Sequence, residues 1–355
     1  MNNSSTSNSD FARFVKRFLV HALILTCLIS CVFFLPLPGS YYFEIPRKTE
    51  YSKVSWVHDY LKPSESWKNK VAFVGSSICL NGINDSLLNS WDSSGTSYVN
   101  LGITHSCFAM TDVLLEQMIN EQNIKPKKVM LCFKGDAMNR NLHNLFPLAA
   151  NPNQILQSGL NGNTQVISSF LHHAAWNIHA ATGIFKLADE KDELEFKSVF
   201  GFKPQKTISL KEIEKSYQRN RSGSEANFNA IEAETNGKKL GIKSKLFLLQ
   251  ADFVQNIRFQ RVSFERSARL LEKAGIPFDI IVYPNLVSAR MGKPQIMADY
   301  IKRTFTSIDF DKHRVIAVDD TCFANSRYYV DMNHLNPQGA EQLTRFIYKS
   351  ISAEQ

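Results

Sequence analysis

Six cysteines in 355 residues, none in a Cys-x-x-Cys spacing, rule against a structural zinc site or a thioredoxin-like redox centre. There is no internal repeat, which excludes solenoids and propellers, and no Arg-rich helix or recurring basic-aromatic pattern of the kind nucleic-acid binders use. The net charge of +8 is spread along the chain apart from a small N-terminal cluster, and fits an anionic surface or substrate equally well. His172, His173 and His179 cluster, but His173 and His179 are six apart, which is not one helical face, and no acidic ligand is adjacent, so no metal site is expected there.

Long uncharged runs are also scarce. The one that stands out covers residues 18–35, roughly 18 residues against the ~20 needed to cross a bilayer. Arg13, Lys16 and Arg17 precede it, Pro36 and Pro38 close it, and the next cations are Arg47 and Lys48. The positive-inside rule puts the N-terminus in the cytoplasm and everything after Tyr41 outside. The expected layout is a cytoplasmic tail over 1–17, with Met1–Asp10 disordered, an anchor over 18–38 and an extracytoplasmic domain over 39–355. A cleaved signal peptide and a lipoprotein signal ending at Cys31 are the alternatives; no small-x-small site follows, and Val32–Leu35 stay apolar where a lipoprotein turns polar.

What is present, at 44% hydrophobic and 21% charged residues, is ordinary for a globular chain with a full core. Five short, continuously apolar runs read as buried parallel strands: Val71–Val74, Tyr98–Ile103, Lys128–Phe133, Phe278–Tyr283 and Val315–Val318. Helical patterns over Thr111–Gln122, Phe253–Ala274, Pro294–Thr306 and Pro337–Ile351 lie between or after them. Alternating strands and helices predict an α/β fold, a doubly wound, mainly parallel sheet in a flavodoxin-like three-layer arrangement. The stretch 137–249 breaks the alternation and reads as a helical and loop insertion, with helix-like pieces at Thr164–Ile184 and Lys206–Tyr217. Cys79 and Cys107 each follow a strand, which leaves a disulfide and two buried thiols both open; Cys132 falls mid-strand.

The first strand runs into Gly75-Ser76-Ser77, which puts a hydroxyl at a strand's carboxyl end, where ligands of α/β sheets bind. After the last strand comes Asp331-Met332-Asn333-His334, just ahead of the last helix. A carboxylate in that spacing holds one imidazole nitrogen and leaves the other to take a serine proton. Either element alone is far more often a turn or cap serine, or a capping aspartate beside a surface histidine. Together, at the two ends of one sheet, they form a specific arrangement.

With these blocks the chain resembles the SGNH/GDSL hydrolase superfamily. Gly75-Ser76-Ser77 stands at the Gly-Asp-Ser block, so the resemblance makes Ser77 the nucleophile and Asp331 and His334 its base pair. It places Gly102, within Asn100-Leu101-Gly102, in the oxyanion hole beside the Ser77 N–H. The third block, Gly-x-Asn-Asp, has no counterpart in Phe133-Lys134-Gly135-Asp136-Ala137-Met138-Asn139, which leaves Asn139 and Asp136 as candidates for the third donor. For His105, close after Gly102, a pocket-lining and a surface role both stay open, and Lys134, at the end of the third strand, reads as a solvated cation by default, with contact to an anionic substrate as the alternative.

The Gly-Ser-Ser variant and the single span narrow the likeness to the envelope acyl-transfer branch, which modifies teichoic acids and alginate. That branch implies serine-dependent O-acyl transfer to a polysaccharide or teichoic-type polymer at the bacterial cytoplasmic membrane. A multi-span membrane acyltransferase is the implied partner, and no cofactor is needed. An esterase or deacetylase of the same fold, and a non-catalytic assembly protein, are the rival expectations.

Overall fold

The computed structural model describes residues 6–34, 57, 60–103, 106–133, 146–161, 166–167, 169, 171, 258–284, 286, 294–318, 321–330 and 334–352. Helix α1 covers Thr6–Phe34 and so begins inside the stretch expected to be disordered, because extending an existing helix costs far less than nucleating one. Several of its large apolar side chains stand exposed, Phe18, Leu19, Leu23 and Ile24 among them. Its described side chains run over 12–27, and among the described residues no helix is long and apolar enough to cross a membrane.

Strands β1 (Lys70–Val74), β2 (Ser97–Asn100), β3 (Lys128–Phe133), β4 (Phe278–Val282) and β5 (Val315–Ala317) form one parallel sheet in the order β2-β1-β3-β4-β5. Alternate residues of each strand feed two separate cores. Ala72, Val74, Leu131, Phe133 and Ile280 face one side, and Val71, Phe73, Met130, Cys132 and Ile281 the other. Both sides are covered, which is why these strands are mostly apolar on both faces rather than alternating.

On the first side lie α4 (Phe108–Glu116), continued by a π turn over Gln117–Glu121, then α7 (Arg258–Lys273) and α8 (Pro294–Thr304). Phe108, Phe133, Phe264 and Phe305 interlock there with ring centroids 4.6–6.3 Å apart. On the second side lie α2 (Ser77–Gly82), α3 (Asp85–Trp91) and α9 (Pro337–Ser352), through Ile78, Leu88, Leu343 and Ile347. Full burial of each such side chain is worth about 1.5–3 kcal/mol.

The expected doubly wound α/β fold is present, and most boundaries agree to within a few residues. Regular β2 ends three residues early, at Asn100, although Leu101 N–H still bonds Phe73 O (2.8 Å) and Ile103 N–H bonds Gly75 O (2.9 Å). Helix α4 starts at Phe108 rather than Thr111, after Cys107, whose side chain makes no cap. Of the insertion, α5 (Phe146–Ala149) and α6 (Pro152–Leu160) are described; α6 opens on a reciprocal cap between Asn151 and Gln154. The expected Lys206–Tyr217 helix, and most of Thr164–Ile184, lie outside the described residues.

Strand β1 is flanked by β2 on one side and β3 on the other, so the chain leaves β1 in one direction and later crosses back. The crossings use opposite faces. The carboxyl ends of β1 and β3 are therefore the switch point, the place where doubly wound sheets bind their ligands.

Candidate active site

The turn after β1 lies at that switch point. Gly75 passes so close to β3 that a Cβ on it would stand 2.7 Å from the Cys132 Cβ and 3.0 Å from the Cys79 Cβ. Only glycine lets the chain bend there. Ser76 follows in extended conformation as the N-cap of α2, its carbonyl accepting from Leu80 N–H (3.0 Å) and its side chain making no cap bond. Ser77 is therefore the first helical residue, 8% exposed. A first-turn N–H has no acceptor within its own helix.

Helix α9 lies beside α2 and α3. Asn84 N–H donates to Thr344 Oγ1 (3.0 Å), and the Tyr348 hydroxyl donates to Trp91 O (2.9 Å), which fixes how far α9 is slid along them. The segment entering α9 is folded back on itself. Tyr329 and Leu335 form an antiparallel bridge, Val330 N–H donates to His334 O (2.8 Å), and Asn336 N–H donates to Tyr328 O (2.9 Å). Asn336 Oδ1 then accepts from Gly339 N–H (3.0 Å), capping the first turn of α9.

The result brings two residues 257 positions apart together: Ser77 Oγ and His334 Nε2 are 2.9 Å from each other. With the ring proton on Nδ1, the hydroxyl donates to Nε2, the polarity a general base needs. The half-buried ring reaches a hydroxyl almost sealed from solvent, so the pair works where water does little to weaken it.

Asp331 lies outside the described residues, between Val330 and His334, which the backbone bond ties together. Asp136, Asn139, Lys134 and His105 also lie outside them, as do the histidines at 172, 173 and 179. Gly102 is described, and its N–H donates to Asn100 Oδ1 at 2.9 Å. A Cβ on Gly102 would meet Leu80 N at 2.5 Å, so this glycine lies against the backbone of α2.

Two features near the site escaped the sequence reading. Asn100, at the end of β2, sends its side-chain NH2 into the C-terminal half of α2. Cys79 neighbours Cys132 across Gly75, rather than being paired with Cys107; all three are buried and none is in a disulfide, and burial pushes the Cys132 thiol well above the usual range. An Asn at a strand end reads as a turn former, and nothing in a Cys spacing reveals a contact made across a sheet. No family model matches the chain, and no curated protein matches its sequence.

Proposed function

We propose that this chain is a serine-dependent acyl-ester enzyme of the SGNH/GDSL kind, an O-acyltransferase that modifies an envelope or extracellular polysaccharide or teichoic-type polymer. The observation that carries the reading is the 2.9 Å approach of Ser77 Oγ to His334 Nε2 at the switch point of a doubly wound sheet.

In this mechanism the Ser77 proton moves to His334 Nε2 as Oγ bonds the acyl carbon. The imidazolium then returns that proton to the leaving oxygen, and an acyl-serine remains. An acceptor hydroxyl repeats the sequence in reverse: it loses its proton to Nε2, takes the acyl group, and Ser77 regains its own proton. Asp331 is assigned the Nδ1 side of the ring, holding the tautomer. The first-turn N–H of Ser77 is the oxyanion donor the geometry favours, and each such donor is worth about 3 kcal/mol.

The exposed apolar side chains of α1 support a membrane anchor. Apolar surface of that extent marks a contact with lipid or protein, and Arg13, Lys16 and Arg17 sit at one end of it. The catalytic domain is then extracytoplasmic, and the acyl group comes to Ser77 from a multi-span membrane acyltransferase.

The test uses the full chain in lipid nanodiscs with a fluorophosphonate probe, followed by peptide mapping. Ser77 is the expected site, and labelling confined to another serine refutes the assignment. An activated acetyl ester is then supplied with and without a polysaccharide acceptor. Acetylated polysaccharide supports the transferase; release to water alone makes the protein an esterase; full cellular function of Ser77→Ala makes it a non-catalytic assembly protein.

A further inference from the structure

We infer that Asn100 is a positioning residue for Ser77, an amide clamp between β2 and the nucleophile helix, and that the Gly102 N–H belongs to this clamp and not to an oxyanion hole. The inference rests on the acyl-enzyme reading of Ser77.

Helix α2 has six residues, too few to hold itself together in isolation. Its C-terminal carbonyls are the groups a helix leaves without partners. Cys79 O accepts from the N–H of the C-cap Ile83 (3.1 Å), and Asn100, 5% exposed, adds a donor to this end of the helix: its Nδ2 lies 2.9 Å from Cys79 O, 3.3 Å from Leu80 O and 2.7 Å from Ile83 O. Its Oδ1 accepts from Gly102 N–H (2.9 Å) and from the Cys79 thiol (3.5 Å). Its own N–H donates to Asp85 Oδ2 (2.9 Å), at the first turn of α3.

The amide has one workable orientation. Rotated by half a turn, its oxygen would face three carbonyl oxygens and its NH2 would face an N–H. These bonds end on α2 and its C-cap Ile83, on α3 and on the turn after β2, so Asn100 holds three segments in one geometry. Ser77 is two residues from Cys79, whose carbonyl and thiol both touch this side chain. A shift of α2 therefore moves Ser77 Oγ relative to His334, which is held independently by α9 and its entry loop.

Gly102 completes the arrangement. Its missing Cβ admits Leu80 N to contact distance, and its N–H points into the amide it helps to orient. An N–H buried in that bond is directed away from any acyl group on Ser77.

Two measurements on the full chain in nanodiscs test this. In the first, fluorophosphonate labelling of Ser77 is resolved into probe affinity and the rate of covalent reaction for wild type, Asn100→Ala and Asn100→Ser, across pH. Loss of positioning predicts a covalent rate lower by about a hundredfold for Asn100→Ala, as roughly 1 Å misplacements do. Probe affinity is expected to stay within about threefold, consistent with an effect on the chemical step. The rise of rate with pH is expected to flatten as the base loses contact. Phe305→Leu, a core change on the far face, serves as the stability control.

Equal covalent rates in wild type and folded Asn100 variants overturn the inference, as does an equal loss in Phe305→Leu. A wild type that does not label at Ser77 removes the acyl-enzyme reading and this inference with it; labelled wild type and equally labelled variants remove this inference alone. The second measurement needs no variant: amide resonances of protein labelled with 15N in glycine and serine, before and after phosphonylation. The Ser77 amide is expected to move and the Gly102 amide to stay. A Gly102 shift as large as that of Ser77 returns Gly102 to the oxyanion hole.

Discussion

The backbone N–H of Val330 donates to the carbonyl of His334 at 2.8 Å, so the proposed base is carried on a loop whose two ends are tied together. Further along, Gly339 presses against that loop: a Cβ there would stand 2.2 Å from the carbonyl oxygen of Tyr328, which already accepts from Asn336 N–H. Backbone cannot yield as a flexible side chain can. Gly339→Ala is expected to cost about 1–3 kcal/mol of stability, as overpacking does. It is also expected to slow Ser77 labelling at least tenfold, because the displaced carbonyl anchors the His334 loop. Thermal unfolding and probe kinetics on one preparation check both. An unchanged labelling rate in a destabilised variant would show that the loop can shift without carrying His334 along.

The pair itself gives a sharper contrast. Ser77→Ala removes one hydrogen bond of ordinary strength, so stability is expected to change by only about 1 kcal/mol while probe labelling disappears. His334→Gln keeps the serine but has no base. Labelling at Ser77 is expected to persist at a rate about 10²–10⁴-fold lower, the usual contribution of a positioned base. If His334→Gln labels as fast as wild type, Ser77 takes its activation from elsewhere.

At the turn before Ser77, the contact of Gly75 is with the Cβ of Cys132 and not with its sulfur. Gly75→Ala is therefore expected to destabilise the fold by about 1–3 kcal/mol. Adding Cys132→Ala is expected to give no relief, since alanine keeps the offending atom. Chemical denaturation of the single and double variants decides it; rescue by Cys132→Ala would mean that the sulfur, not Cβ, limits the approach.

What the sequence made legible follows the range of the physics involved. Buried parallel strands must be apolar on both faces, and that is a local signal: β3 was expected over Lys128–Phe133 and is found there. Ser77 and His334 were legible because turn chemistry marks both, a glycine bend and a helix entrance at Pro337, and because doubly wound sheets gather such points at one rim. Asn100 was not, because its partners lie 17–21 residues earlier, on a helix too short to show a periodicity. The same reading assigned the Gly102 N–H by position alone, whereas its acceptor is the side chain two residues before it. Helix α6 was legible in principle from Asn151-Pro152-Asn153-Gln154, a capping box with proline at the first turn, but its apolar spacing is weak.

A buried charge cluster that no motif announces gives the last expectation. Asp112 on α4 is 6% exposed; Arg266 Nε on α7 approaches its Oδ2 at 3.3 Å, while its Oδ1 has no partner among the described residues. Glu116, one turn on, shares Arg266 and accepts from Gln154 Nε2 (2.9 Å). Burial pushes the Asp112 carboxyl up from 3.8 to about 7; Arg266 opposes the rise and Glu116 adds to it. The folded state therefore holds this proton more tightly than the unfolded chain does. Below about pH 4 both states are protonated and the group contributes nothing to the pH dependence. Between about pH 4 and 7 the unfolded chain releases the proton first, so stability falls as pH rises, and above about pH 7 the penalty is complete. That gap corresponds to at most roughly 4 kcal/mol. Asp112→Asn keeps the shape and cannot titrate. The wild-type stability minus that of Asp112→Asn is expected to decrease from pH 4 to pH 7 and then level off, whatever offset the altered contact with Arg266 adds at every pH. Denaturant melts of both proteins at four pH values across that window measure it; a difference that stays flat, or that grows with pH, would mean the carboxylate is ionised in the fold at acidic pH and Arg266 dominates its burial.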